Sequence, residues 1–114
     1  MARKKNIVDL LPEMVSLFRE TYPELDTLLV HVPKANITLN KKGTPYGCAD
    51  LVLLYPTERH GSLCIQVFEP PRVTEPQKRW RIISENAGNK CAVVKDLLGF
   101  VKAVEEYLKD TPYE

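Results

Sequence analysis

Apolar residues recur at helical spacing near the N-terminus, bunch into short continuous runs in the middle of the chain, and return to helical spacing twice toward the end. Met14, Val15 and Phe18 place one apolar face on a helix over Leu11 to Glu20. Pro12 suits the first turn of that helix, where its missing N–H would have no partner anyway, so the spacing predicts no helix before it. Tyr22-Pro23 ends the segment. Leu28 to Val32 reads as a short strand. Pro33 to Gly47 mixes Asn, Gly, Pro and Lys without periodicity and reads as a loop. Asp50 to Tyr55 is a buried strand, Pro56 to Gly61 a turn, and Ser62 to Phe68 a second buried strand that Pro70 and Pro71 close.

A second helix opens at Thr74, which stands in capping-box spacing to Gln77. Trp80, Ile83 and Ala87 continue it as an apolar face, and Gly88 is its stop signal. Cys91 to Val94 is a further strand. Asp96 caps a last helix, with Leu97, Leu98, Val101, Val104 and Leu108 on one face. The order α-β-β-β-α-β-α predicts an α/β fold, a small mixed β-sheet flanked by helices. A length of 114 residues suits one domain over residues 1–114, large enough to bury roughly two-thirds of its unfolded surface.

Charge changes the picture only locally. The net charge of +1 excludes a strongly basic coat. Basic residues nevertheless gather at Arg3, Lys4 and Lys5, at Lys34, Lys41 and Lys42, and at Arg72, Lys78, Arg79 and Arg81. A face that contacts phosphates is one reading and an ordinary solvated surface the other. Three cysteines, Cys48, Cys64 and Cys91, form an odd set without CxxC spacing, which argues against a disulfide scaffold or a zinc knuckle. Cys64 and Cys91 fall inside apolar runs as buried thiols. A reducing, intracellular (cytoplasmic) setting is expected. No signal-peptide pattern and no apolar stretch of about 20 residues is present, so no membrane partner is expected.

The chemistry concentrates between Gly43 and Trp80. Asp50 stands where a turn becomes an apolar strand, Gln66 and Phe68 lie in the next strand, and Gln77 opens a helix. Four pieces in this order resemble the VRR-NUC family of virus-type replication and repair nucleases, within the restriction-endonuclease-like PD-(D/E)xK superfamily. Tyr22-Pro23-Glu24-Leu25 followed by His31-Val32-Pro33 is similar to the family's segment after its first helix. Gly43-Thr44-Pro45-Tyr46-Gly47-Cys48-Ala49-Asp50-Leu51 is similar to its G-x-x-x-G-x-P-D-L motif. His60-Gly61 through Phe68 resembles its H-G-L-x-I-E-x-K strand, and Thr74-Glu75-Pro76-Gln77 with Trp80 its S-P-E-Q-x-x-W helix start.

The resemblance implies a restriction-endonuclease-like core acting on DNA, branched DNA included, with Mg²⁺ or Mn²⁺ as cofactor. It also brings a homodimer and a phage or mobile-element setting into view. Asp50 and Gln66 would be the metal ligands, with Gln77 completing the catalytic set. Lys34, Lys41, Lys42, Lys78 and Arg79 would contact phosphates.

The departures from the family pattern are as informative. The family E-x-K is Gln66-Val67-Phe68 here. Mg²⁺ prefers hard, charged oxygen ligands, and an amide oxygen supplies no second negative charge. A lysine two residues on shares the strand face and would neutralise developing charge; Phe68 does not. Losing a positioned group of this kind costs roughly 10²- to 10⁴-fold in rate. Glu69 faces the other way on a regular strand, and rescue would need a bulge or a lysine from elsewhere. The expectation is therefore an endonuclease or junction-resolvase-like hydrolase with impaired cleavage. The alternative is a non-catalytic DNA- or protein-binding module. Plainer readings stand beside these: Asp50 capping a turn, Gln66 hydrogen-bonded to a neighbouring backbone, Phe68 filling the core or a cleft, Gln77 as a capping-box residue, His31 and His60 as ordinary strand-end or turn residues, and Trp80 in the core.

Overall fold

Leu63, Ile65 and Val67 alternate with Cys64 and Gln66 along one five-residue strand, and all five are buried. Alternation with burial on both sides means that this strand is covered on each face. A computed structural model describes residues 7–32, 47–67 and 75–112. It contains α1 (Ile7–Thr21), a 3₁₀ helix (Pro23–Leu28), β1 (Leu29–His31), β2 (Leu51–Leu53), β3 (Leu63–Val67), α2 (Glu75–Asn86), β4 (Lys90–Val94) and α3 (Leu97–Leu108). The strands form one sheet in the order β1-β2-β3-β4. β1 pairs antiparallel with β2 and β2 with β3, whereas β3 and β4 run parallel. A parallel pair needs a crossover, and α2 supplies it.

One face of the sheet carries the main core. Leu10, Met14 and Phe18 of α1 and Phe100, Val104 and Tyr107 of α3 pack on Leu51, Leu53, Leu63, Ile65, Val67 and Val94. Truncating any of these large side chains to alanine costs about 2–5 kcal/mol. The other face, under α2, is smaller: Ala49, Cys64 and Cys91 are buried there, with Val52 and Trp80 packed against them. Trp80 is half-buried on this second cluster and stands outside the main core.

The predicted order of elements is the observed one, with differences at particular residues. The first helix begins at Ile7, before Pro12. The proline sits exposed in the helix, while Leu10, Met14 and Phe18 bury a stripe at spacing four that offsets one missing backbone hydrogen bond. The 3₁₀ helix before β1 was not signalled by periodicity, being too short to show one. In α2, Ile83 is 60% exposed and Ala87 is exposed. The half-buried or buried positions are Gln77, Trp80, Arg81 and Ser84, so three polar residues hold this face beside Trp80. Leu98 is 63% exposed, and Phe100 and Tyr107 take the buried places on α3 instead. Asp96 caps α3 as expected, its Oδ1 accepting from Gly99 N at 2.8 Å. Gly88, with φ 103°, ends α2 in the left-handed region. The Thr74 half of the capping box, the loop through Lys34, Lys41 and Lys42, and Phe68 and Glu69 lie outside the described residues.

Candidate functional site

Asp50 stands one residue before β2 and joins three strands. Its carbonyl accepts from Val32 N at 2.9 Å, and its N–H donates to Ile65 O at 2.8 Å. Its carboxylate Oδ2 accepts from Val67 N at 2.7 Å. Asp50 therefore grips β3 on both sides of Gln66. A hydrogen bond to a carboxylate is stronger than one between neutral groups, so the grip also fixes the acid's direction.

Gln66 is wholly buried, with 0% exposure. Its Nε2 donates to Gly47 O at 2.8 Å and to Gln77 O at 3.0 Å. The opposite orientation of the amide would set its oxygen against two carbonyl oxygens, so the network dictates which atom is nitrogen. Both amide hydrogens are thus used to tie the turn before β2 to the first turn of α2. Among the described residues, Oε1 has no hydrogen-bond partner. A buried acceptor left in this way costs about 1–3 kcal/mol unless something else occupies it.

Gly47 shapes the junction. Its φ is 77°, a conformation that favours glycine. A Cβ there would meet the Pro76 carbonyl group and Gln77 N at separations no side chain tolerates. The backbone of the turn thus lies directly on the start of α2, which brings the Gln77 carbonyl within reach of Gln66. Gln77 is half-buried, and its contribution here is made by the backbone.

The remaining candidates are spread out. Lys78 and Arg79 are exposed on α2, and Lys78 Nζ lies 3.8 Å from the Glu75 carboxylate. His31 is exposed at the end of β1, its Cα paired with Leu51 beside Asp50. It lines a groove of about 880 Å³ along α1 with Leu11, Pro12, Val15, Ser16, Arg19 and Glu20. His60 lies at the other end of β3, where its ring is 6.3 Å from that of Tyr107. A smaller cavity of about 380 Å³ there includes Arg59, His60, Lys90 and Asp110. The plainer reading of Gln66, an amide hydrogen-bonded to backbone, agrees with these two bonds. The part of Gly47 went unread: its positive φ and close approach to α2 place the carbonyl that Gln66 Nε2 reaches.

Among the described residues no group of three His, Cys, Asp or Glu side chains is placed to hold a metal ion. The donor set at this end of the sheet is one carboxylate and one orphaned amide oxygen, both hard ligands of the type Mg²⁺ and Mn²⁺ take.

No protein-family model matches the chain, and no curated protein matches it. A search of solved structures finds a VRR_NUC domain protein that superposes with a TM-score of 0.85 at 15% identity, covering 99% of this chain and 96% of the other. The antiparallel β1-β2-β3 meander with the α2 crossover to a parallel β4 is a VRR-NUC-like nuclease fold.

Proposed function

We propose that this chain is a nucleic-acid-binding domain of nuclease fold in which phosphodiester cleavage is impaired. The observation that carries this reading is the bonding of Gln66. Its amide nitrogen is committed to two backbone carbonyls, a task that an ionised glutamate at the same place cannot perform. The position therefore serves to hold the turn before β2 against the start of α2. Asp50 and Gln66 Oε1 would hold a hydrated Mg²⁺ or Mn²⁺ weakly. When bound, such an ion polarises a phosphoryl oxygen and lowers the pKa of its water. The bond from Val67 N holds the Asp50 carboxylate in place. Lys78 and Arg79, with Lys34, Lys41 and Lys42 earlier in the sequence, would contact phosphates, and DNA, branched forms included, is the substrate class. In the sequence Phe68 stands where the family pattern has lysine, and β3 (Leu63–Val67) carries no basic residue to neutralise developing charge.

The test is binding and cleavage of labelled duplex, flap and four-way-junction DNA with Mg²⁺ or Mn²⁺ across a salt series, beside Asp50→Asn. Binding that weakens steeply with salt, with little or no cutting, supports the proposal, because phosphate contacts release counterions. Efficient cutting abolished in Asp50→Asn overturns the impaired part. Absence of binding even at low salt overturns the nucleic-acid reading and turns attention to a protein partner.

A further inference from the structure

Cys64 on β3 and Cys91 on β4 are register partners in the parallel pair. Both are free thiols and both are buried. They lie on the α2 face of the sheet, in one cluster with Ala49, Val52 and Trp80. Neighbouring strands run about 4.8 Å apart, within the roughly 4.4–6.8 Å that a disulfide spans between Cα atoms. Because partners in register share a face, both Cβ atoms stand on the same side.

The surroundings of the two sulfurs differ. The hydroxyls of Ser62 and Ser84 lie 3.6 and 3.7 Å from Cys64 Sγ. Asn89 organises both: it accepts from Ser62 Oγ at 2.8 Å and donates to Ser84 Oγ at 3.3 Å. Cys91 Sγ instead donates to Arg81 O at 3.8 Å. Ser84, whose oxygen accepts from Asn89, can turn its own proton toward Cys64 Sγ, whereas Cys91 Sγ faces a carbonyl oxygen, so Cys64 is the sulfur better placed to attack.

We propose that Cys64 and Cys91 form an oxidisable dithiol, a modification site beneath α2 that hydrogen peroxide converts to a disulfide between β3 and β4. The Cys64 thiolate attacks one peroxide oxygen. An S–O bond forms, the O–O bond breaks, and the departing hydroxide takes up a proton to become water. Cys91 then attacks the sulfenic sulfur: the S–S bond forms, the S–O bond breaks, and the oxygen leaves with the Cys91 proton as a second water. Two thiols and one peroxide become one disulfide and two waters. Burial restricts the site to an oxidant as small as peroxide. Trp80, the one tryptophan in the chain, packs on the pair and reports its state.

The experiment treats the full chain with hydrogen peroxide, maps it by mass spectrometry without reduction, and follows Trp80 fluorescence. The expected result is a cross-linked peptide joining Cys64 to Cys91, with a fluorescence change that dithiothreitol reverses. Cys48→Ser keeps both signals. Cys91→Ser stops at a sulfenic acid on Cys64 that dimedone labels. Mapping of the unaltered chain decides the matter even if that variant folds poorly. Thiols that survive peroxide, a bridge that uses Cys48, or oxidation of Cys64 to sulfinic acid without a bridge would overturn the proposal.

Discussion

The Asp50 carboxylate accepts the backbone N–H of Val67 at 2.7 Å, one residue beyond the wholly buried Gln66. The acid at the head of one strand thus holds the end of the next, and the candidate site and the local fold share the same bond. Changes there act on stability and on ligand binding by separable amounts.

Asp50→Asn retains an oxygen that can accept from Val67 N, whereas Asp50→Ala leaves that N–H without this partner. Urea denaturation is expected to place the alanine variant about 1–3 kcal/mol below the native chain and the asparagine variant nearer to it. Both variants lose any Mn²⁺ binding followed by calorimetry, because the single carboxylate is gone. An alanine variant as stable as the native chain would show that the bond contributes nothing.

Gln66→Glu restores the acid of the family pattern, and the expected outcome is loss of stability without gain of cutting. A carboxylate would face the carbonyls of Gly47 and Gln77 with no hydrogen to give. Burial and that repulsion raise its folded pKa above the unfolded value of about 4.3. A raised folded pKa contributes stability that is present below the unfolded pKa and lost as pH rises. The variant should therefore approach the native chain near pH 4 and fall roughly 3 kcal/mol below it at neutral pH. Equal stability of the two proteins at pH 7 would contradict the bonding described for the amide.

Gly47→Ala tests the contact between the turn and α2. The substitution combines a φ of 77° with overlap against the Pro76–Gln77 peptide. Backbone cannot yield as a flexible side chain does, so a loss of roughly 3 kcal/mol or more is expected. Thermal melts read it directly. Gly61→Ala is the comparison: the nearest atom to its Cβ would be Asn89 Oδ1 at 3.4 Å, and its melting point should move little.

Tyr107→Phe probes the far end of the sheet. Tyr107 Oη donates to Tyr55 O at 2.6 Å, and burial raises the phenol's pKa. Stability from this group is fully present below its unfolded pKa of about 10 and is lost as pH rises through the higher folded value. The phenylalanine variant should be about 1 kcal/mol less stable at neutral pH yet lose less on going to alkaline pH. Parallel alkaline unfolding curves for the two proteins would exclude the assignment.

Local signals carried the architecture. The run Leu63 to Val67 is apolar enough to declare a strand, Asp96 has the chemistry of a cap, and Gly88 that of a stop; each acts within a few residues, where sequence is read directly. The VRR-NUC resemblance was legible for the same reason, since it rests on short motifs in a fixed order. Tertiary structure decided the rest. Ile83 and Leu98 have the spacing of core residues but are exposed, because the faces that α2 and α3 bury depend on the sheet beneath them. Pro12 lies within a helix because long-range packing of Met14 and Phe18 outweighs one absent hydrogen bond. The partners of Gln66 lie 19 residues before it and 11 after it. The pairing of Cys64 with Cys91 spans 27 residues, 91 − 64, and exists only because β3 and β4 meet in that register. Such contacts are set by how the strands and the crossover helix assemble, and no local pattern encodes them.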